Sequence, residues 1–219
     1  MTIYSFLAIP IGYLLGSMPS AYIVGRLIGK TDIRMEGDGR ISAAAVKKRL
    51  GVWPFLLVVV MDVCKGALAT SIAKLLINSA TVDDLPIAPL SIVMATGFVA
   101  VIGHSWSPFL RFRGGLGATV IYGTLAGMLL WPQELIALVV GGIAVLITRK
   151  SGFSTAVIII TLSLILLLQK LIWSPDMSPI LVVYPLILIL LMVVKRSQVS
   201  KSRGTKCHDL FEYWKDNNK

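Results

Sequence analysis

Asp62 and Lys65 stand three residues apart inside a long apolar stretch, a spacing that places both side chains on one face of a helix. A charge in the hydrocarbon region costs about 2.5–3.5 kcal/mol, so such groups pair or line a polar cavity. This pair reads either as a structural ion pair or as the wall of an active or transport site. Farther on, Arg111-Phe112-Arg113-Gly114-Gly115-Leu116-Gly117 opens another apolar stretch. Glycines let a backbone approach a ligand and present its N–H groups; a helix start adds partial positive charge, and the arginines add full charges. That makes an anion site suited to a phosphate at a membrane surface, or else a tight turn whose arginines only set topology. Gly37-Asp38-Gly39-Arg40 precedes a short amphipathic segment ending in Lys47-Lys48-Arg49, and reads as a second phosphate-contacting loop or as a solvated turn. His104, after Gly103, is a candidate base or a hydrogen-bonded structural histidine. Cys207-His208-Asp209 has no second pair at ligand spacing, so no metal site is expected, and no motif asks for a cofactor.

These residues must be positioned by membrane helices. Of 219 residues, 56% are hydrophobic and 15% charged, more apolar surface than a soluble domain of this size can bury. A span needs roughly 20 apolar residues. Seven segments qualify or nearly so: 3–25, 52–77, 87–110, 116–130, 135–148, 153–171 and 180–194. The fourth, fifth and seventh are short. Trp131-Pro132-Gln133-Glu134 separates the fourth from the fifth. The expected fold is an all-α polytopic bundle over residues 1–194, followed by a basic tail, 195–219, that is either a short interfacial helix or irregular.

The net charge of +10 has a membrane explanation that excludes nucleic acid as the expected partner. The segment between the first two spans holds seven basic residues, the third and fifth connections two each, and the tail seven; the other connections hold only Asp83, Asp84, Glu134 and Asp176. The positive-inside rule then places the N-terminus outside and the tail in the cytoplasm. The first residues lack the basic start of a cleaved signal, so the first span is expected to be retained.

Ordered motifs match a family. Gly12-Tyr13-Leu14-Leu15-Gly16-Ser17-Met18-Pro19-Ser20-Ala21, Asp32-Ile33-Arg34 with Gly37, Gly39, Ile41, Ala43, Val46, Leu50 and Gly51, Asp62-Val63-Cys64-Lys65-Gly66, Gly103-His104 with Phe109 and Phe112-Arg113-Gly114-Gly115, and Thr148-Arg149 with Ser154 occur in sequence. Across nearly its whole length the chain resembles the bacterial acyl-phosphate:glycerol-3-phosphate acyltransferases, the PlsY family. The resemblance implies a multi-pass protein of the bacterial cytoplasmic membrane. It implies transfer of a fatty acyl group from acyl phosphate to glycerol 3-phosphate or a similar anionic acceptor, yielding lysophosphatidic acid for phospholipid synthesis. It implies substrate contacts from Gly37, Gly39, Arg40, Lys48, Arg113, Gly114, Gly115, Gly117, Ser154 and Arg196, with His104 and Lys65 as candidate catalytic residues. Association with membrane lipids is expected, and oligomers with itself or a paralogue are left open.

The chain departs from the family pattern at several working positions. Asp38-Gly39-Arg40 replaces Ser-Gly-Asn, Ala43-Ala44-Ala45 replaces Ala-Thr-Asn, Leu116 replaces a lysine, and Lys195-Arg196-Ser197-Gln198 replaces a His-Arg motif followed by Asn. These substitutions predict reduced turnover. They support an alternative reading, a weak or inactive relative that binds anionic lipid or partners an active paralogue.

Overall fold

The structure is a computed structural model describing residues 3–30, 41–77, 87–128, 131–148 and 151–217. The proposed loop residues Gly37, Gly39 and Arg40 lie outside the described residues. Every regular element among those described is helical. A 3₁₀ turn, Ile3–Leu7, leads into α1 (Ala8–Ser17), followed by α2 (Ser20–Leu27), α3 (Ala43–Leu50), α4 (Val52–Leu76) and α5 (Ile87–Ser105). After a second 3₁₀ turn, Pro108–Leu110, come α6 (Ala118–Gly127), α7 (Trp131–Thr148), α8 (Ser151–Ile172) and α9 (Pro179–Asn217).

Among the described residues, five segments are long and apolar enough to cross a bilayer: Ser5–Leu27, Val52–Leu76, Ile87–Leu110, Ser154–Ile172 and Pro179–Val199. Ala118–Gly127 and Gln133–Thr148 are shorter apolar helices. At 1.5 Å per residue, the ten residues of α6 reach about 15 Å, half of a hydrocarbon core. This helix is not lipid-facing: Val120, Ile121, Gly123, Thr124, Leu125 and Gly127 are buried, and it lies along α4. The two backbones come close because both carry glycine at the crossing. A Cβ on Gly66 would meet the Val120 carbonyl at 2.5 Å, and one on Gly123 would strike the Val63 carbonyl. Small residues of this kind let membrane helices pack backbone to backbone.

The other close pairs include α1 with α5, α7 with α8, α1 with α4, and α8 with α9. Leu90, Ile121, Leu125, Ile159, Leu162, Leu181 and Leu188 belong to the main buried cluster. A smaller cluster of Ala21, Val24, Ile41, Val46, Val58 and Leu110 joins α2, the short α3, α4 and the turn after α5. Outward-facing Leu75, Leu146 and Ile147 are 72%, 79% and 77% exposed, an apolar exterior that suits lipid.

Two expectations change in detail. The first apolar segment is not one straight helix: it breaks at Met18-Pro19, because proline has no N–H to continue the ladder. Trp131-Pro132-Gln133-Glu134 is the first turn of α7 and not a connection, a place where proline's missing N–H has no helical partner to lose. The last helix runs from Pro179 to Asn217 and so carries the basic tail's described residues in helical form.

Candidate functional site

The break at Met18-Pro19 creates the site's first half. Carbonyls at the end of α1 lose their helical donors, and two of them accept from distant side chains. Ser107 Oγ donates to the Ser17 carbonyl at 2.6 Å, and Lys65 Nζ donates to the Met18 carbonyl at 2.8 Å. Tyr13 Oη donates to the Trp106 carbonyl at 3.3 Å, tying α1 to the end of α5 a second time.

Lys65 is the centre of this arrangement. Its Nζ lies 2.8 Å from Asp62 Oδ1, one helical turn earlier, and both side chains are 5% exposed. Ser20 Oγ accepts from the same amine at 3.3 Å, and the Ser20 hydroxyl also hydrogen-bonds Asp62. His104 Nδ1 lies 2.9 Å from Lys65 Nζ and 3.7 Å from Asp62 Oδ1. Thr119, in the first turn of α6, donates to Asp62 Oδ2 at 3.1 Å. The buried charges thus neutralise one another within α4, and polar groups from α2, α5 and α6 converge on them.

Above this cluster the chain makes a tight loop from Ser105 to Gly117. Backbone bonds close it: Phe112 N to Ser107 O at 2.8 Å, Arg113 N to Leu110 O at 3.1 Å, and Gly114 N to Ser105 O at 3.1 Å. Arg111 and Phe112 adopt positive φ of 50° and 61°, and Gly117, capping α6, has φ of 85°. The glycines are required by contact with His104. A Cβ on Gly115 would sit 2.5 Å from His104 Nε2, and one on Gly114 would strike the His104 carbonyl. The loop therefore lies directly on the imidazole. Arg111 and Arg113 are exposed beside it. Leu116 packs against the main core instead of facing out, so the position where the family pattern has lysine serves packing here.

The remaining candidates are dispersed. Lys48 is exposed on α3, whose Val46 shares the small cluster with Leu110 of the loop. Arg196 is exposed on α9. Ser154 is buried on α8, where its hydroxyl donates to the Gly141 carbonyl at 2.5 Å across the α7–α8 contact. No group of three metal-ligating side chains occurs among the described residues.

Sequence reasoning missed four contributors: Ser20, Thr119, Trp106 and Lys195. Ser20 sits in a recognisable motif, but Thr119 and Trp106 carry no signal of their own. Lys195 is 5% exposed, its ammonium 4.6 Å from the centroid of the Trp106 ring, and its charge acts on His104. That pairing is a cation–π contact in a desolvated setting.

The family model for glycerol-3-phosphate acyltransferase matches residues 6–203. A glycerol-3-phosphate acyltransferase of Gloeobacter violaceus is 38% identical over 145 residues, covering 66% of this chain and 67% of its own. Glycerol-3-phosphate acyltransferase 1 of Dehalococcoides mccartyi is 35% identical over 190 residues, 84% of each chain. The fold is shared with crystal structures of the integral membrane glycerol 3-phosphate acyltransferase PlsY (YgiH). Its glycerol 3-phosphate form superposes with a TM-score of 0.73 at 22% identity over 93% of both chains. Its lysophosphatidic acid form gives the same TM-score at 21% identity. With apolar helices of spanning length and a family match along nearly all of its sequence, this chain is a multi-pass protein of the bacterial cytoplasmic membrane and belongs to the glycerol-3-phosphate acyltransferase family.

Proposed function

We propose that the chain transfers a fatty acyl group from acyl phosphate to glycerol 3-phosphate. The observation that carries this reading is the Arg113–Gly117 loop drawn over His104 and Lys65, with a second buried cation, Lys195, beside it. Asp62 neutralises Lys65, so Lys195 and Arg113 leave this corner with excess positive charge at the end of an apolar bundle. Such a corner suits two anionic head groups whose fatty chain lies among the spans.

Acyl phosphate is a mixed anhydride and is already activated. The glycerol hydroxyl oxygen attacks the acyl carbonyl, and a carbon–oxygen ester bond forms. The carbon–oxygen bond to phosphate breaks, and the hydroxyl proton leaves with the inorganic phosphate. No covalent enzyme intermediate and no redox step are needed. The protein's work is to hold hydroxyl and carbonyl together and to stabilise the oxyanion that develops between them. Arg113 and the glycine-loop N–H groups face one phosphate, and Lys195 supplies the ammonium that position 116 does not. Lys48, Arg196, Gly37, Gly39 and Arg40 would complete the ring of contacts. An inactive lipid-binding relative has the motif substitutions in its favour, with Leu116 packed against the core at the position of the family's lysine.

Growth tests this reading. The chain should support a bacterium depleted of its own glycerol-3-phosphate acyltransferase. Failure of the stably expressed, membrane-inserted protein to do so would count against the function.

A further inference from the structure

Lys65 settles what His104 can do. An ammonium has three N–H donors and no lone pair. Asp62 Oδ1, 2.8 Å from Lys65 Nζ, is the counter-charge that this form of the amine pairs with. Its hydrogens have three aligned acceptors: the Met18 carbonyl at 2.8 Å, Ser20 Oγ at 3.3 Å and His104 Nδ1 at 2.9 Å. Nδ1 must therefore present its lone pair, and in a neutral imidazole the proton then resides on Nε2. That nitrogen points the other way, against Gly115, whose missing Cβ would stand 2.5 Å from it. Among the described residues Nε2 has no hydrogen-bond partner, and the His104 side chain keeps 15% exposure. A polar N–H aimed into an anion loop with no protein acceptor is available to a ligand.

We propose that His104 is a fixed Nε2–H donor, locked by Lys65, that gives a hydrogen bond to a phosphate oxygen held at the Gly114–Gly117 loop and does not act as a general base. The base role fails on geometry: the lone pair faces Lys65, away from the loop. The ligand assignment rests on the reading of that loop as a phosphate site; the tautomer does not.

The chain has two histidines, His104 and His208, so His208→Gln leaves one imidazole for ¹⁵N NMR of the full-length protein in nanodiscs. The expected spectrum shows an unprotonated Nδ1 and a protonated Nε2, and the Nε2 resonance moves when inorganic phosphate is added. In turnover, His104→Gln, whose amide N–H replaces Nε2–H, should stay within about tenfold of the parent. His104→Asn, which replaces only Nδ1, should lose about 10²- to 10³-fold in kcat. An Nδ1–H or doubly protonated ring overturns the proposal, as do equal losses in the two variants. An Nε2–H tautomer indifferent to phosphate overturns the donation. Absence of acyl transfer by a parent protein whose Nε2 still responds to phosphate overturns the catalytic reading of the loop and leaves the donation standing.

Discussion

The ammonium of Lys195 lies over the indole of Trp106, 4.6 Å from the ring centroid, although 89 residues separate them in sequence. This contact joins the last spanning helix to the loop that carries Arg113. Among the described residues it is the partner the structure gives a lysine that is only 5% exposed. A cation buried this way, with no carboxylate paired to it among the described residues, is prepared for an anion brought by substrate. Lys195→Met should therefore lower kcat/KM by about 10²-fold, the scale of losing one charged transition-state contact, and Lys195→Arg should retain part of the activity. Steady-state kinetics of the three proteins decides it, and equal activity in Lys195→Met would make the residue a packing element.

Arg113 stands exposed beside the glycine loop. Its replacement by alanine should weaken binding of phosphate-bearing ligands by about 1.5–3 kcal/mol, the range of a charge-assisted hydrogen bond. Calorimetric titration with glycerol 3-phosphate measures this. An unchanged affinity would leave Arg113 with a topological role only.

The Asp62–Lys65 pair is buried within the bundle. Lys65→Met removes one partner and strands the other, a change that costs about 3–5 kcal/mol in buried pairs. Replacing both, Asp62→Leu with Lys65→Met, should recover much of that loss in thermal unfolding of detergent-solubilised protein. Activity should not recover with it, because His104 loses the partner that orients it. A double variant as unstable as the single one would contradict the pairing.

Gly115→Ala places a methyl group 2.5 Å from His104 Nε2. The loop must lift away from the imidazole, so KM for the phosphate substrate should rise while the unfolding temperature stays close to the parent's. A normal KM would show that loop and ring need not touch.

The placement of basic residues predicts the orientation. Cysteines introduced at Asp83 and Ser178 should react with a membrane-impermeant reagent added outside, and cysteines at Gly39 and Ser202 only after the inner face is opened. A single position labelled from the opposite side would remove the seven-span, tail-inside arrangement.

The long apolar helices were legible because their hydropathy runs reach bilayer length, and Asp62 and Lys65 because charges in such runs demand a partner. The glycine loop was legible from three glycines beside arginines. What brings these pieces together was not. Lys65 meets His104 across 39 residues because α4, α5 and the broken α1 pack at particular angles. Those angles depend on close approaches such as Gly66 on α6, and a glycine in an apolar run does not name its partner. The break at Met18-Pro19 could be suspected from proline alone. That it frees carbonyls for Ser107 and Lys65 is visible only in three dimensions. Trp131-Pro132 reads as punctuation because proline ends helices more often than an isolated dipeptide reveals that it starts one.

The most direct test is product formation by the purified, monodisperse protein in nanodiscs, supplied with glycerol 3-phosphate and acyl phosphates of several chain lengths. Lysophosphatidic acid and inorganic phosphate should appear in equal amounts, both substrates should be required, and the reaction should fall sharply in the Arg113→Ala protein. Folded protein that forms no lysophosphatidic acid with any chain length would contradict the account.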